Sequence, residues 1–198
     1  MGILLAGSGE ADRNTVKKVQ GSADWQGDIL LTGFEGTSAE LLVKKAVYKS
    51  LILPNDKVLD AQILFAEIGR RSYRYVFSFG QKPVIRDKVY LETVARNGDG
   101  MIRTDFAYGK LQDALKAEDL EVRISDNAGT SFCNALYWNA LACIRDQALE
   151  TKMIFVHIPF CKNMTEMDSF FDKVLKAVEN CCRVAVSEAA IGDLYRRI

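Results

Sequence analysis

The run Met153-Ile154-Phe155-Val156-His157-Ile158 is apolar at every position but one. Short apolar runs that are rich in β-branched and aromatic side chains are typical of strands covered on both faces, as in a parallel sheet. Amphipathic stretches flank this run, and they predict helices over 134–149 and 166–190. A buried strand between long helices indicates an α/β fold, in which helices cover both sides of a mostly parallel sheet.

The rest of the chain repeats this alternation of short apolar runs and longer amphipathic stretches. Further strands are predicted at Ile29–Thr32, Leu51–Leu53, Tyr75–Phe79, Val89–Ala95 and Val122–Ser125, and further helices at Ser38–Lys49 and Lys57–Gly69. The C-terminal helix is expected to have Thr165 as its N-cap, because Asp168 follows three residues later in a near match to a capping box. We therefore predict a single-domain, three-layer α/β/α architecture over 1–198, with a mostly parallel twisted sheet.

Composition narrows the classes of function. The 198 residues include 26 Lys+Arg and 26 Asp+Glu, so the formal net charge is zero. Such a chain lacks the usual charge of a nucleic-acid binder or an anionic-membrane binder, and no apolar run reaches the ~18 residues that would span a bilayer. The 5 cysteines are irregularly spaced and odd in number, which predicts free thiols in a reducing compartment. We therefore expect a cytoplasmic protein with no nucleic-acid or membrane partner.

Residues 1–27 form an atypical N-terminal segment. Ile3-Leu4-Leu5 precedes Gly7-Ser8-Gly9, which predicts a strand that runs into a glycine turn. The phosphate-binding pattern G-x-x-x-x-G-K-[ST] is absent, so a nucleotide-binding protein is the least favoured reading. An extra edge strand or an ordered extension is expected here, since the apolar run is too short for a signal peptide and lacks a basic flank.

A cysteine stands at the predicted start of the helix over 134–149. The run Ala128-Gly129-Thr130 comes shortly after a predicted strand, and two residues separate this run from Cys133. The free backbone N–H groups and the dipole at a helix N-terminus favour a thiolate, and the same N–H groups can stabilise an oxyanion. The alternative is a small buried apolar side chain, which is the commoner role of a free cysteine.

His157 is the only histidine in the sequence. It lies near the C-terminal end of a predicted strand, where open α/β sheets place their ligands. A core histidine bonded to a backbone carbonyl is the usual explanation of such a residue, but any Cys–His chemistry in this chain must use this imidazole. A metal site is disfavoured, because the cysteines show no C-x-x-C spacing and no second histidine exists.

Glu92 places a carboxylate inside the strand-like run Val89–Ala95. If it is buried, this carboxylate could orient the ring of His157 and stabilise the imidazolium, as the third member of a triad. The alternative is a glutamate on an edge strand that faces water.

Five motifs follow one another between about residue 28 and residue 160. They are Ile29-Leu30-Leu31-Thr32-Gly33-Phe34-Glu35, Phe79-Gly80-Gln81, Leu91-Glu92-x-Val94-Ala95-x-Asn97, Ala128-Gly129-Thr130-x-x-Cys133-Asn134 and Phe155-x-His157-Ile158-Pro159. Any one of them would be a weak signal, but five in this order are specific. Together they resemble the motifs of the pyroglutamyl peptidase I (pyrrolidone-carboxylate peptidase) family.

The resemblance implies a cysteine peptidase that removes an N-terminal pyroglutamyl group, or a similar small acyl group, from peptides. Its partners would be peptide substrates with a blocked N-terminus, and it would need neither a cofactor nor a metal. The catalytic triad of the family falls on Glu92, Cys133 and His157. The substrate-binding positions of the pyroglutamyl pocket fall on Phe34, Gln81 and Phe132.

The chain departs from the family in the parts that hold the substrate. The loop Glu35-Gly36-Thr37 after Phe34 is short, and the second phenylalanine that would stack on the lactam ring is missing. Glu92 is followed by Thr93 where the family has an arginine, and Ser131 stands where an aromatic residue is common. We therefore expect weak hydrolysis of pyroglutamyl amides, unless another segment, or a neighbouring subunit of a homo-oligomer, supplies the missing wall. A changed acyl specificity and a non-catalytic peptide- or protein-binding module are the alternatives.

Overall fold

The central layer of the molecule is a six-stranded sheet. The computed structural model describes residues 25–195, so the N-terminal strand and glycine turn predicted within residues 1–24 lie outside the described residues. The strands of the large sheet are β1 (Ile29–Phe34), β2 (Lys49–Leu53), β3 (Tyr75–Lys82), β4 (Lys88–Glu92), β7 (Glu121–Ser125) and β8 (Lys152–Pro159), while β5 (Val94–Asn97) and β6 (Gly100–Arg103) form a separate antiparallel pair.

The large sheet is mostly parallel, as predicted. Its strand order is β2-β1-β3-β8-β4-β7, and every neighbouring pair is parallel except β4 with β8. In this antiparallel pair Tyr90 lies opposite His157, and Glu92 lies opposite Phe155. On the other side of β8, Gly80 of β3 is the partner of His157. The strand that carries the only histidine is therefore central, with β3 on one side and β4 on the other.

Within residues 25–195, five helices cover the two faces of the sheet. They are α1 (Ser38–Lys45), α2 (Leu59–Arg70), α3 (Tyr108–Ala117), α4 (Phe132–Asp146) and α5 (Met167–Tyr195). Apolar side chains of α1, α3 and α5 pack in one buried cluster, and those of α2 and α4 pack in a second cluster. Because the helices bury apolar stripes on both sides, the strands between them carry apolar residues at consecutive positions. The three-layer α/β/α architecture is confirmed.

One predicted strand was wrong. The run Val89–Ala95 was expected to form one strand, but the chain leaves the large sheet at Thr93, whose backbone N–H donates to the carbonyl oxygen of Ser125 over 2.7 Å. Beyond this break β5 pairs with β6 instead, through a turn in which Gly98 has a φ of +55°. The Asn97-Gly98 dipeptide is a hairpin signal that could have located this turn.

Other predicted boundaries also moved. The first predicted helix ends at Lys45, because Lys49 already belongs to strand β2. Helix α3 was not predicted, although Leu111 and Leu115 stand at helical spacing and are both buried. The expected N-cap of the last helix was wrong, since the hydroxyl and the backbone N–H of Thr165 both donate to Asp87.

Candidate active site

Glu92 and His157 form a buried pair. The distance between Nδ1 of His157 and Oε1 of Glu92 is 2.8 Å, and the exposed fractions of the two residues are 3% and 0%. The contact follows from the register of the two strands. Tyr90 lies opposite His157, and Glu92 is two positions further along the same strand, so the side chains of Glu92 and His157 meet diagonally on one face of the sheet. The ring of Phe155, 5.0 Å away between centroids, packs against the imidazole. Nδ1 is thereby committed to the carboxylate, and Nε2 is left for other chemistry.

The carboxyl of Glu92 is held in its ionised form despite its burial. Burial acts to raise the pKa of Glu92, but the hydrogen bond with His157, a contribution from Ser125 and the charge of Lys82 lower it below its usual range. The hydroxyl of Tyr137 donates to the backbone carbonyl of Glu92 over 2.9 Å, which fixes the main chain at this position. The pair is thus a charged acceptor facing an imidazole, the arrangement that stabilises an imidazolium.

Cys133 is the second residue of α4 and lies over Gly80. A methyl group added to Gly80 would lie 2.8 Å from Sγ of Cys133 and 2.9 Å from the ring of Phe155. Because Gly80 is the sheet partner of His157, its missing side chain creates the space in which the thiol reaches the neighbourhood of the imidazole. No hydrogen bond joins Cys133 to His157 among residues 25–195, and such contacts are often long in an unliganded site.

The loop before Cys133 is tied to the hairpin β5–β6. The side chain of Asn134 accepts from the backbone N–H of Arg96 over 3.0 Å and donates to its carbonyl over 2.7 Å. Arg96 also binds Asp126, at the start of the same loop, through its carbonyl and its carboxylate. Gly129, in the middle of the loop, has a φ of +86°, which favours glycine. The hairpin that the sequence did not predict therefore positions the thiol.

The surroundings of Cys133 oppose the thiolate that its helix terminus led us to expect. Burial raises the pKa of the Cys133 thiol to about 12, and the charge of Glu92 acts in the same direction. The residue's own backbone N–H and the charge of Lys82 oppose this rise without cancelling it. Cys133 lies at a helix terminus as predicted, but desolvation is the largest influence on its pKa. A raised pKa favours the protonated form of this thiol.

A cavity of about 270 Å³ opens beside the thiol. Its lining includes Cys133 and all three predicted substrate-binding residues, which are Phe34, Gln81 and Phe132. Of the other lining residues, Thr37 and Ser131 were named from the sequence only where the chain departs from the family, and Asn55, Pro83 and Phe160 were not singled out. Phe160 follows the Phe155–Pro159 motif directly, so its position after a site-bearing strand was the signal that could have found it.

Gln81 and Asn55 contribute side-chain amides to the cavity wall. In each amide, one of the two polar groups already makes a hydrogen bond within the protein. Oε1 of Gln81 accepts from the backbone N–H of Ser38 over 3.1 Å, which leaves the Nε2 group as a donor. Nδ2 of Asn55 donates to the carbonyl of Glu35 over 2.9 Å, which leaves Oδ1 as an acceptor. The cavity therefore offers one donor and one acceptor beside aromatic walls.

Replacing Gly80 by Ala tests the placement of the thiol. The added methyl group would force Cys133 or the ring of Phe155 to move, and we expect the free energy of unfolding to fall by about 1–3 kcal/mol. A displacement of Sγ by about 1 Å should lower any catalytic activity that depends on Cys133 about 100-fold. Gly109→Ala is the matched control, because its Cβ would meet no atom within 4 Å. Equal activity of the two variants would contradict this placement.

Within 25–195 no group of three or more His, Cys, Asp or Glu side chains is placed to hold a metal ion. Over the same range, no helix is both long and apolar enough to cross a membrane. All five cysteines are free thiols, and Cys181 and Cys182 are buried.

Sequence comparison gives one partial match among curated proteins. No protein-family model matches the chain. A pyrrolidone-carboxylate peptidase 1 of Caldanaerobacter subterraneus subsp. tengcongensis is 34% identical over 87 residues, which cover 41% of this chain and 42% of that protein. The match thus spans less than half the length of this curated relative.

Structural comparison covers more of the chain. A pyrrolidone carboxyl peptidase of Fervidobacterium islandicum superposes with a TM-score of 0.70 at 21% identity, over 77% of this chain and 96% of that one. Pyroglutamyl peptidase I of Bacillus amyloliquefaciens gives 0.69 at 17% identity, over 78% and 96%. The pyrrolidone carboxyl peptidase of Thermococcus litoralis gives 0.68 at 16% identity, over 81% and 95%. The chain therefore has the fold of these peptidases, and the predicted resemblance to their family is confirmed.

Proposed function

We propose that this protein is a cysteine peptidase that cleaves an N-terminal pyroglutamyl group, or a similar small acyl group, from peptides. The observation that carries the proposal is the buried Glu92–His157 pair beside a thiol at a helix N-terminus, with a small cavity adjoining that thiol. The partial match to a pyrrolidone-carboxylate peptidase and the shared fold support the same conclusion.

The first half of the reaction forms a thioester. Because the resting thiol is protonated, Nε2 of His157 takes the proton of Cys133 as Sγ attacks the carbonyl carbon of the acyl–peptide bond. Glu92 remains ionised and stabilises the imidazolium through Nδ1. The side chain of Ser131 makes no capping hydrogen bond, so the first N–H groups of α4 are available to the oxyanion. The C–N bond then breaks, and the imidazolium gives its proton to the leaving amine.

The second half of the reaction releases the acyl group. A water molecule loses a proton to His157 while its oxygen attacks the thioester carbonyl. The C–S bond breaks, Sγ of Cys133 recovers the proton, and the acyl group leaves as a carboxylic acid. The same side chains thus serve both halves, and no metal or cofactor enters the proposed sequence.

The cavity has the chemistry of a site for a small lactam. A lactam presents a carbonyl next to an N–H group, and these match the free donor of Gln81 and the free acceptor of Asn55. The volume of about 270 Å³ accommodates a five-membered ring whose exocyclic acyl carbonyl, the one joined to the leaving amine, is directed at Cys133. A peptide with a free N-terminus would bring a charged ammonium against aromatic rings and a neutral amide, at a desolvation cost.

Phe160 supplies an aromatic wall that the short loop after Phe34 lacks. It lines the cavity together with Phe34 and Phe132. We expect Phe160→Ala to raise KM about 3- to 10-fold with little change in kcat, because losing a stacked ring forfeits about 0.5–1.5 kcal/mol. Phe160→Tyr is the control that keeps the ring. A KM for Phe160→Ala equal to that of the parent protein would mean that the wall is built elsewhere.

A changed acyl specificity is favoured by a second cavity. This space of about 520 Å³ shares Thr37, Gln81 and Phe160 with the first cavity, and it opens beside Gly36 in the short loop. An acyl group longer than a lactam could extend into it past the ring of Phe160. The rates of hydrolysis of a series of substrates, from pyroglutamyl amide to N-acylated aminoacyl amides, distinguish a changed acyl specificity from a pyroglutamyl specificity.

The function is tested with a fluorogenic pyroglutamyl amide at high enzyme concentration. We expect turnover that depends on Cys133, with the corresponding unblocked glutaminyl amide as the control that is not cleaved. Faster turnover of a longer acyl amide would favour the changed specificity. Failure to cleave any acyl amide would contradict the peptidase and leave a binding module as the remaining reading.

A further inference from the structure

Lys82 brings an ammonium group to the Glu92–His157 pair. It is the last residue of β3, and its Nζ lies 3.3 Å from Oε1 of Glu92, the same oxygen that contacts Nδ1 of His157 at 2.8 Å. Among the described residues, Oε2 of Glu92 is buried and meets the geometric criteria for a hydrogen bond with no other group. The contacts with Lys82 and with His157 fall on the other oxygen, so the lysine shares that atom with the histidine.

The ammonium of Lys82 also contacts two other parts of the site. It donates to the backbone carbonyl of Asn127 over 3.3 Å, in the loop that leads to Cys133. It lies 5.1 Å from the centroid of the Tyr90 ring, within the range of a cation–π contact. The side chain of Lys82 is 25% exposed, so its charge is only partly screened by solvent. One cation thus connects the carboxylate, an aromatic face and the loop of the nucleophile.

We propose that Lys82 is a positioning residue of this site, whose ammonium shares the Glu92 carboxylate with His157, disfavours proton binding by that pair and ties Glu92 to the loop that carries Cys133. The contribution to catalysis rests on the proposed function, whereas the effect on the Glu92–His157 pair does not. Lys82 touches neither the acyl cavity nor the thiol in the contacts described above, so it acts through Glu92.

The charge of Lys82 has a defined effect on proton binding by the pair. Its Nζ and Nδ1 of His157 contact one oxygen atom, so they lie within about 6 Å of each other, the range in which a like charge disfavours the protonated form. Removing Lys82 should let the pair take up a proton at higher pH. The titratable groups that face the pair or the adjoining thiol are Lys82 of β3, Tyr90 of β4, Cys133 and Tyr137 of α4, and Asp60 of α2.

The titration of the pair can be observed directly, because the sequence contains 1 histidine. The ring Cε1–H signal of His157, followed by NMR against pH, reports the macroscopic titration of the pair without any substrate. We expect Lys82→Met to move the midpoint of this signal up by about 0.5–1 pH unit. Lys82→Arg keeps the charge and should restore most of the original midpoint. Lys88→Met is the matched control, since Lys88 is 22% exposed and pairs with Glu121 at the sheet edge.

Each outcome decides the inference. An unchanged midpoint in Lys82→Met, or an equal shift in Lys88→Met, would overturn it. If Lys82→Met does not fold, the same titration of Lys82→Gln replaces it. In the hydrolysis assay, the acidic limb of the kcat/KM profile should move up with the NMR midpoint, because the base must be unprotonated. A shifted NMR midpoint with no hydrolysis of any acyl amide would leave the role of Lys82 standing and overturn the peptidase.

Discussion

Hydrolysis of a pyroglutamyl amide is expected to fall at least about 1,000-fold when Cys133 is replaced by Ala, because the thioester cannot form without Sγ. The fold should survive, since a partly buried thiol is exchanged for a smaller side chain at the second position of α4. The measurement is the initial rate at high enzyme concentration, together with a thermal unfolding curve of each protein. Residual turnover above about one thousandth of the parent rate would remove Cys133 from the chemistry.

Cys143→Ala provides the matched control for this substitution. Cys143 is also a partly buried free thiol, and it lies in the same helix α4. It is not among the residues that line the cavity beside Cys133. We expect its loss to leave kcat/KM within about twofold of the parent value, as for a change away from the reacting atoms. A comparable loss of activity in both variants would indicate that damage to α4, and not loss of the nucleophile, explains the first result.

Replacing Glu92 by Gln is expected to lower kcat about 100- to 10,000-fold with little change in KM. The amide is nearly the same size, but it carries no charge to stabilise the imidazolium, and it can bind the wrong tautomer of His157. Its new N–H group would also face the ammonium of Lys82, which donates to Oε1 in the parent protein. Glu121→Gln is the control, because this glutamate is exposed on the edge strand β7 and binds Lys88. Equal rates in the two variants would show that the Glu92–His157 pair is structural only.

The same substitution has a consequence for stability against pH. The pKa of Glu92 is lowered in the folded protein, even though burial alone would raise it. A lowered pKa means that ionised Glu92 stabilises the fold above the unfolded value of about 4.3, and that this contribution is lost as pH falls through the folded value. Chemical unfolding of Glu92→Gln should therefore depend less on pH below about 4.5 than unfolding of the parent protein. A steeper dependence in the variant would contradict this sign.

Local patterns in the sequence were sufficient for the order of most elements, although they missed α3 and the β5–β6 hairpin. The strand around Phe155 and the helix after Cys133 were both predicted, because the spacing of apolar residues along the chain indicates each of them. The predicted ends of helices and strands were less accurate where a short segment joins two elements. Helix α1 ends at Lys45 because the chain must turn in time for β2 to pair with β1 at Lys49, and pairing of this kind is not a local property.

The sequence also identified the residues that meet in the site, but not how they meet. The sequence around a glutamate in an apolar run is compatible with a side chain that faces solvent and with one that is buried. Only the antiparallel register of β4 with β8 places Glu92 against His157. The charge state of Cys133 was predicted from its helix terminus alone. The structure adds the desolvation of the buried thiol, which raises its pKa by more than the hydrogen bond of its own backbone N–H lowers it.

The sequence by itself determined the α/β class, the order of most elements and the set of polar residues available for chemistry. Those depend on side-chain type and on spacing over a few residues. Only the tertiary structure decided that Lys82 shares an oxygen of Glu92 with His157, that Phe160 lines the cavity and that Gly80 leaves room for Sγ of Cys133. These contacts join residues far apart in the chain, because strand register and helix packing bring together groups whose distances no local pattern encodes.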